Sequence, residues 1–532
     1  MSQAALAEIP TPSTPLTRCT STLLPATANA PSFIIDAKNK SYKHQYSNIY
    51  FTRLAMLKKP VLERAKAKWK DLPGKPMHVA RVLDVVKSKL CWVLGTVYMD
   101  MPLKPNVLED LGRDHSIPPP PPREKFYSDE DSVMLEDESG RIKLVGERLK
   151  SMRLVTGVII AALGMEAPNG DFEVIDTCSA DLAPFAEVDS KDSDGIDVDN
   201  GSTQPDEYLG IVSGLSIGAT SPTDAQIQML VEYICGEVGG LDDQKLASQI
   251  TRLIIAGNSL SPASDGENGD DDEEQKRPKK FGAAVQANFS PHPNLALSAH
   301  LQDLVSALPV HILPGADDPS GTILPQQSFP RAMFGRAASF ETFHCETNPA
   351  WLRVECGAGA DQLISKGAGP SESRTDRPPV TRSLLVTSGQ PVLDMYKYLP
   401  TPPSTLVSIA ASTLRWRHVA PTAPDTLWCH PYRERDPFVL KETPDIYVVG
   451  GMPEFGTELV GPEESGAKKI SKRCRVVLVP SFAETGVLVL VNLRTLDVRR
   501  VNFGVAGMST GGKEAVAGSS KSKEDKDAMQ EG

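Results

Sequence analysis

From Tyr208 onward, short continuous apolar runs alternate with stretches of helical period, and this restricts the fold more than any other feature of the chain. YLGIVSGL is followed, after SPTD, by a segment that places Ile227, Leu230, Val231 and Ile234 at i, i+3, i+4 and i+7, one face of a helix. RLIIAGNS, the helical LALSAHLQDLVSAL and VHILPG continue the pattern, and SLLVTSGQ, STLVSIAASTLRW and IYVVGG resume it later. Strands that are apolar throughout are buried on both faces, and helices between them cover those faces, so an α/β layer is expected. Near the end CRVVLVP, GVLVLVNL and DVRRVNFG alternate with turns and predict a β-meander that closes a second sheet. Residues 206–505 are therefore expected to form a two-sheet sandwich with flanking helices.

The region before it has a different texture. NIYFTRLAMLKKPVLERAKAKW predicts a helix, and then VARVLDVV, KLCWVLGTVYMD, DSVMLEDESGRIKLVG and RLVTGVIIAALGMEAPNGDFEVIDTCSAD carry β-branched runs between turn signals. Val133–Leu135 and Ile142–Leu144, around Glu138-Ser139-Gly140, predict a hairpin. Five short strands over roughly 110 residues fit a small barrel of the oligonucleotide/oligosaccharide-binding kind, so residues 32–185 are expected to be an OB-fold behind an N-terminal helix. The Lys and Arg of that helix could meet phosphate, but an amphipathic helix packed on the barrel is the preferred alternative. The barrel strands carry few aromatics (Trp92, Tyr98, Phe172), which favours a protein-facing barrel over one that stacks single-stranded bases.

A chain of 532 residues suggests about three domains, and 40% hydrophobic with 23% charged residues is a globular balance. Residues 1–31 and 506–532 lack apolar content and period, and both are expected to be disordered tails. An acidic linker is expected at 186–205. Loops are expected at 113–125, where five prolines run from 118 to 122, and as insertions near 262–284 and 357–380. KRPKK at 276–280 reads equally as a nuclear import signal or a solvated loop. The start of the chain has neither a secretory nor an Arg-rich transit pattern, and no apolar run is long enough to cross a bilayer, so no membrane association is expected. A net charge of −12 argues against a primary nucleic-acid binder, which needs a cationic surface. Eight scattered cysteines show no zinc spacing and are expected to be buried thiols.

Strand ends in α/β folds are where ligand sites are built, and here they read SGLSIG, GNS, PGADDP, RHVAPTAPD and GGMP. Their order and spacing resemble the calcineurin-type metallophosphoesterases, whose turns read D-x-H, G-D, G-N-H-D, H and G-H-x-H and hold two divalent metals. Aligned on that pattern, Gly214 and Ser216 replace the first Asp and His, and Asn258 replaces the bridging Asp. Ala316 and Asp317 replace Asn and His while Asp318 survives, and Gly451 and Pro453 replace the last two; His418 aligns with the later single His, although a satisfied structural histidine at a helix end is its preferred reading. Glycine, alanine and proline offer no side-chain ligand, and neutral Asn cannot bridge two cations. The resemblance thus implies a degenerate site with no metal, no cofactor and no catalytic residue. Asp317 and Asp318 are expected to cap the turn before Pro319.

V-S-G-L-x-I-G, P-G-x-x-D-P, T-S-G-Q, WRHVAPTAPDTLWCHPY and YVVGGMPEFGTELV resemble the B-subunit family of eukaryotic replicative DNA polymerases, most of all its delta branch. KLCWVLGTVYMDMPLKPNVLEDL, SVMLEDESGRIKL and TGVIIAALGMEAPNGDFEV extend the likeness through the barrel, to roughly residues 40–505. Pro391 departs from the usual Asn after T-S-G-Q. The resemblance implies a nuclear, non-catalytic subunit that joins the polymerase catalytic chain, through its C-terminal cysteine-rich module, to a third subunit. It also implies possible sharing with the zeta polymerase and only weak or indirect contact with DNA. A residual phosphodiesterase or exonuclease, and a single-strand-binding OB module, are the alternatives. Within RHVAPTAPDTL, Pro421 and Pro424 fix an extended turn in which Asp425 is expected to accept backbone hydrogen bonds.

Overall fold

The computed structural model describes residues 9–36, 40, 42–43, 46–105, 123–186, 206–219, 224–262, 291–357, 379–462 and 472–504. Prolines 118–122, the acidic linker beyond Ala186, nearly all of both insertions, KRPKK and the C-terminal tail lie outside the described residues.

The N-terminal segment departs from the expected tail. Strand β1 (Ser21–Leu24) pairs antiparallel with residues 353–356, Ser21 opposite Cys356 and Leu24 opposite Arg353. Just before it, Arg18 donates from Nη1 to the carbonyls of Ala247 (2.7 Å) and Ile250 (3.1 Å), and from Nη2 to that of Ile234. Ala247 and Ile234 lie in the last turns of helices Leu241–Ser248 and Asp224–Cys235. Terminal helix carbonyls lack intrahelical donors and carry partial negative charge, so one guanidinium serves two helix ends. Gln244 Nε2 holds the carbonyl of Pro10, and Cys19 N donates to Ser248 O. Residues 9–31 are therefore a strap, anchored by hydrogen bonds to backbone instead of by the apolar burial whose absence suggested disorder.

Helix Ser47–Lys68 follows, then the barrel: β2 (Met77–Val79), β3 (Cys91–Asp100), β4 (Ser132–Glu136), β5 (Arg141–Val145), β6 (Ile159–Glu166) and β7 (Phe172–Cys178). The sheet runs β2-β3-β4-β5-β7-β6, and β6 returns to β3 with Cys91 opposite Gly164 and Thr96 opposite Ile159, which closes it. The expected hairpin forms, pairing Val133 with Leu144 and Leu135 with Ile142. Val93, Val97, Leu135, Leu144, Ile160 and Phe172 fill the interior. On the outside Leu54, Leu57, Val61 and Ala65 pack the helix against Trp92, Leu94, Ile159 and Leu163. Of the helix cations, Lys68 pairs with Asp176 at 2.7 Å and Arg64 reaches the Ser179 carbonyl.

The second domain contains β8 (Tyr208–Val212), β9 (Ile250–Ala256), β10 (Val310–Leu313), β11 (Phe343–Cys345), β12 (Ala350–Cys356), β13 (Val380–Thr387), β14 (Ile446–Met452), β15 (Gly456–Val460), β16 (Cys474–Pro480), β17 (Val487–Asn492) and β18 (Val498–Asn502). One sheet is ordered β11-β10-β9-β8-β17-β18 and the other β1-β12-β13-β14-β16-β15. Ile211, Ile254, Leu384, Val386, Val448, Val477 and Val489 fill the space between them. The expected C-terminal meander is split: β16 pairs with β14 and β15, whereas β17 and β18 extend the other sheet from β8. Both β16 and β17 are apolar on each face, so each needs a buried place, and the chain crosses between sheets at Pro480-Ser481 to provide one in each.

The two domains are bolted by a buried carboxylate. Asp436 Oδ2 accepts from Arg53 Nε of the barrel helix and from His418 Nε2, both at 2.9 Å, while Oδ1 accepts from Phe438 N. The other donors of Arg53 go to the carbonyls of Pro421 (2.6 Å) and Ala423 (2.8 Å). Ala420 N donates to His418 Nδ1, so Nε2 carries the proton and the ring is neutral. Burial and the neighbouring Arg53 push His418 down to about 4. Burial alone would raise Asp436, but His418 and Arg53 hold it well below the usual carboxylate range.

Three outcomes follow for stability. Arg18→Ala, or removal of residues 1–24, should destabilise the sandwich by about 1–3 kcal/mol, the usual cost of stranding hydrogen-bonding groups, read as a lowered denaturation midpoint. Arg53→Ala leaves Asp436 buried without its cation and should cost about 3–5 kcal/mol. Because the unfolded chain protonates His418 near its ordinary 6.5 and the native chain near 4, its contribution is present above pH 6.5 and lost as pH falls toward 4. Urea denaturation at pH 7.5 and 4.5 should show that fall, and His418→Gln should reduce it.

Candidate functional site

The five turns converge only in part. β8 runs into Ser213-Gly214-Leu215-Ser216, β9 into Gly257-Asn258, β10 into Pro314-Gly315-Ala316-Asp317-Asp318, and β14 carries Gly450-Gly451. Gly214 N donates to Gly257 O and Ser216 N to Asn258 O. Ser213 Oγ donates to Ala256 O at 2.7 Å and accepts from Gly451 N at 2.8 Å, which joins the two sheets at their shared end. The fourth contributor is Ser388-Gly389, the turn after β13, and not the His418 turn. His418 lies in the domain junction on Asp436, a satisfied structural histidine, so its alignment with the single-His motif is corrected. It matches that motif by residue type alone, whereas Ser388 occupies the equivalent end of a strand just before a helix, a signal legible in T-S-G-Q.

The turns close tightly on one another. Gly214 has φ +65°, and a Cβ there would lie 2.7 Å from Ser481 Oγ and 3.0 Å from Ser481 Cα. A Cβ at Gly257 would stand 2.3 Å from Ser388 Cβ, and one at Gly315 would stand 2.0 Å from Asn258 Oδ1. The Asp that a metallophosphoesterase places at 214 therefore cannot be accommodated on this backbone. Asn258 adopts φ +54°, a conformation Asn tolerates, and its Oδ1 accepts from Asp317 N at 3.2 Å. Ala316, Asp317 and Pro453 are exposed.

Asp318 is buried and both its oxygens are used. Oδ1 accepts from Leu260 N at 2.9 Å and Oδ2 from Gly315 N at 2.7 Å, so one carboxylate ties the turn after β9 to the turn after β10. Burial pushes its pKa up, opposed by the backbone N–H groups around it. Asp317 does not share that role.

Beside the turns lies a network without a local signature in the sequence. Asn348 Nδ2 donates to Gln326 Oε1 (2.7 Å) and Ser388 Oγ (2.5 Å), and Asn348 Oδ1 accepts from Ser388 N (3.0 Å). Gln326 Nε2 reaches the carbonyls of Gly315 and Gly321, both at 2.9 Å, and Gln390 Nε2 donates to Gln326 Oε1. Every member is neutral. Among the described residues no three His, Cys, Asp or Glu side chains gather closely enough to hold a metal ion. Asp425 also differs from expectation: its Oδ2 accepts from Lys104 Nζ (2.7 Å) and Tyr398 OH (3.1 Å), side chains of the barrel domain and of helix Gln390–Tyr398, and so adds to the domain junction.

Comparison with known proteins finds likenesses that cover both domains. The family model described as DNA polymerase delta subunit OB-fold domain matches residues 45–177, and that of the DNA polymerase alpha/epsilon B subunit matches 209–358 and 380–457. The chain is 33% identical over 459 residues to the DNA polymerase delta small subunit of Arabidopsis thaliana, covering 86% of this chain and 91% of that one. It is 30% identical over 506 residues to the Saccharomyces cerevisiae protein of the same name (88% and 91% covered). It is 32% identical over 479 residues to DNA polymerase delta subunit 2 of Drosophila melanogaster (89% and 96% covered). An identity of this level over nearly the whole length, across both domains, places the chain in the DNA polymerase delta small-subunit family.

Proposed function

We propose that the chain is the accessory subunit of a DNA polymerase delta complex acting in replication and repair, and that it works by presenting surface and makes no bonds of its own. The observation that supports the non-catalytic reading is at the strand-end turns: Gly214 has no space for the Asp of the two-metal pattern, and Ser216, Asn258, Ala316, Gly451 and Pro453 stand where other ligands would be. A neutral amide network and a carboxylate already committed to two backbone N–H groups occupy the surroundings. In this reading the catalytic subunit docks its C-terminal cysteine-rich module here and the third subunit its N-terminal domain, in the nucleus. The bolted pair of domains supplies one preformed surface for both.

The barrel is read as protein-facing. Trp92 and Phe172 are buried at 3% and 0% exposure, so neither can stack a base. Tyr98 lies between Lys104 Nζ at 4.5 Å and the Arg141 guanidinium at 4.8 Å, its ring already engaged.

Purified protein given Mn²⁺ or Mg²⁺ should hydrolyse neither phosphodiesters nor DNA ends, and should capture the catalytic subunit's C-terminal module at physiological salt. Asp318→Ala should lower stability by about 1–3 kcal/mol, since it strands two backbone donors, and create no change in hydrolysis. Metal-dependent turnover that survives repurification and vanishes in Asp318→Ala would overturn the non-catalytic reading. Single-stranded DNA should bind weakly and be lost steeply as salt rises; tight binding at physiological salt would favour the single-strand-binding module instead.

A further inference from the structure

The strap contains two Thr-Pro dipeptides, Thr11-Pro12 and Thr14-Pro15, and both threonines are exposed in irregular chain. Other Thr-Pro threonines in the described residues are held: Thr443 is buried, with Oγ1 donating to Ala183 O, and the Thr401 hydroxyl accepts from Lys125 Nζ. An exposed, irregular Thr-Pro is the form in which a proline-directed protein kinase accepts a substrate, because the enzyme must take the backbone into its own groove.

The surroundings say what a phosphate there would do. The Pro10 carbonyl accepts from Gln244 Nε2, which tethers the residue before Thr11 to helix Leu241–Ser248, whose first turn carries Asp242 and Asp243. A group bearing about −1.5 to −2 charge on Thr11 is repelled by those carboxylates. Thr14 lies four residues before Arg18, whose hydrogen bonds in the strap all go to neutral carbonyls. A phosphate is a stronger partner for a guanidinium than a carbonyl is. Arg18 holds two helix ends, so a phosphate on Thr14 competes with them for the same guanidinium.

We propose that Thr11 and Thr14 form a phosphorylation site and that phosphorylation unlatches the strap, freeing the outer edge of β12. The γ-phosphoryl of ATP is the donor. Its bond to the ADP oxygen breaks, a bond to Thr Oγ1 forms, and the hydroxyl proton is released.

The full-length protein treated with ATP and a proline-directed protein kinase tests this, with phosphate located by mass spectrometry and amide hydrogen exchange read at 21–24 and 353–356. Phosphate should be found on Thr11 or Thr14, and exchange at both segments should quicken by roughly tenfold or more. The unphosphorylated Arg18→Ala protein should show the same loosening. The doubly substituted Thr11→Ala, Thr14→Ala protein should exchange like the untreated chain after the same treatment. The proposal is overturned if neither threonine accepts phosphate, or if phosphorylation leaves exchange at both segments unchanged.

Discussion

Asp436 is the charge on which the rest of the molecule depends. Its carboxylate is buried and ionised, so its two partners are obligatory: a guanidinium from the barrel helix and an imidazole from the sandwich. Since Arg53 spends its remaining donors on Pro421 and Ala423, the same interaction fixes the RHVAPTAPD segment against the barrel. Close approach of the backbones requires Gly157, at φ +89°, where a Cβ would lie 2.0 Å from Pro421 O and 2.5 Å from Arg53 Nη1. Lys104–Asp425 and Arg415–Asp181 add further ties across the junction. Under the scaffold role proposed above, two domains that move as one body are required, and these contacts tie them together.

The strand-end turns hold one another without a cluster of converging charges. In a two-metal site several carboxylates converge, and their mutual repulsion is offset by the cations. Here the converging groups are glycine backbone, Ser213, Asn258 and neutral amides, so no repulsion exists to be offset. The one retained carboxylate, Asp318, has its charge answered by backbone N–H dipoles. The turns consequently pack on one another directly, which is why they can serve as rigid structure.

What could be read from the residues followed from local rules. The parallel strands β8, β9 and β10 announce themselves as continuous apolar runs, and the 133–144 hairpin as alternation around Glu138-Ser139-Gly140. Sheet membership is a long-range property, so β16, β17 and β18 read as one meander although a single crossing at Ser481 divides them. The strap is hidden because its Pro, Ser and Thr content describes a chain that cannot bury apolar surface; its four-residue strand is held by Arg18 and by pairing instead. Arg53 reads as one more cation of a basic helix, since nothing near it in sequence shows the carboxylate 383 residues away. His418 misleads for the opposite reason: its identity matches a motif while its position does not.

The misreadings of the strap and of Arg53 share a cause that also bears on partner choice. Arg18, Arg53, Arg382, Arg417 and Arg494 each donate to groups far away in sequence, mostly main-chain carbonyls: Arg382 to Leu493 and Arg494, and Arg417 to Ala180, Asp181 and Leu182. A planar guanidinium with five donors suits this collecting role better than an ammonium does. Each such arginine counts toward the formal charge but is withdrawn from any surface where a phosphate backbone could meet it. Arg53 and Arg494 are buried together with the carboxylates they pair with, Asp436 and Glu207, so these pairs leave the balance of surface charge unchanged. Nucleic-acid affinity depends on cations that can release counterions from phosphates, and cations committed to carbonyls cannot do so without undoing the fold. The arginines that make the two domains and the strap into one scaffold are for that reason poor instruments for binding DNA.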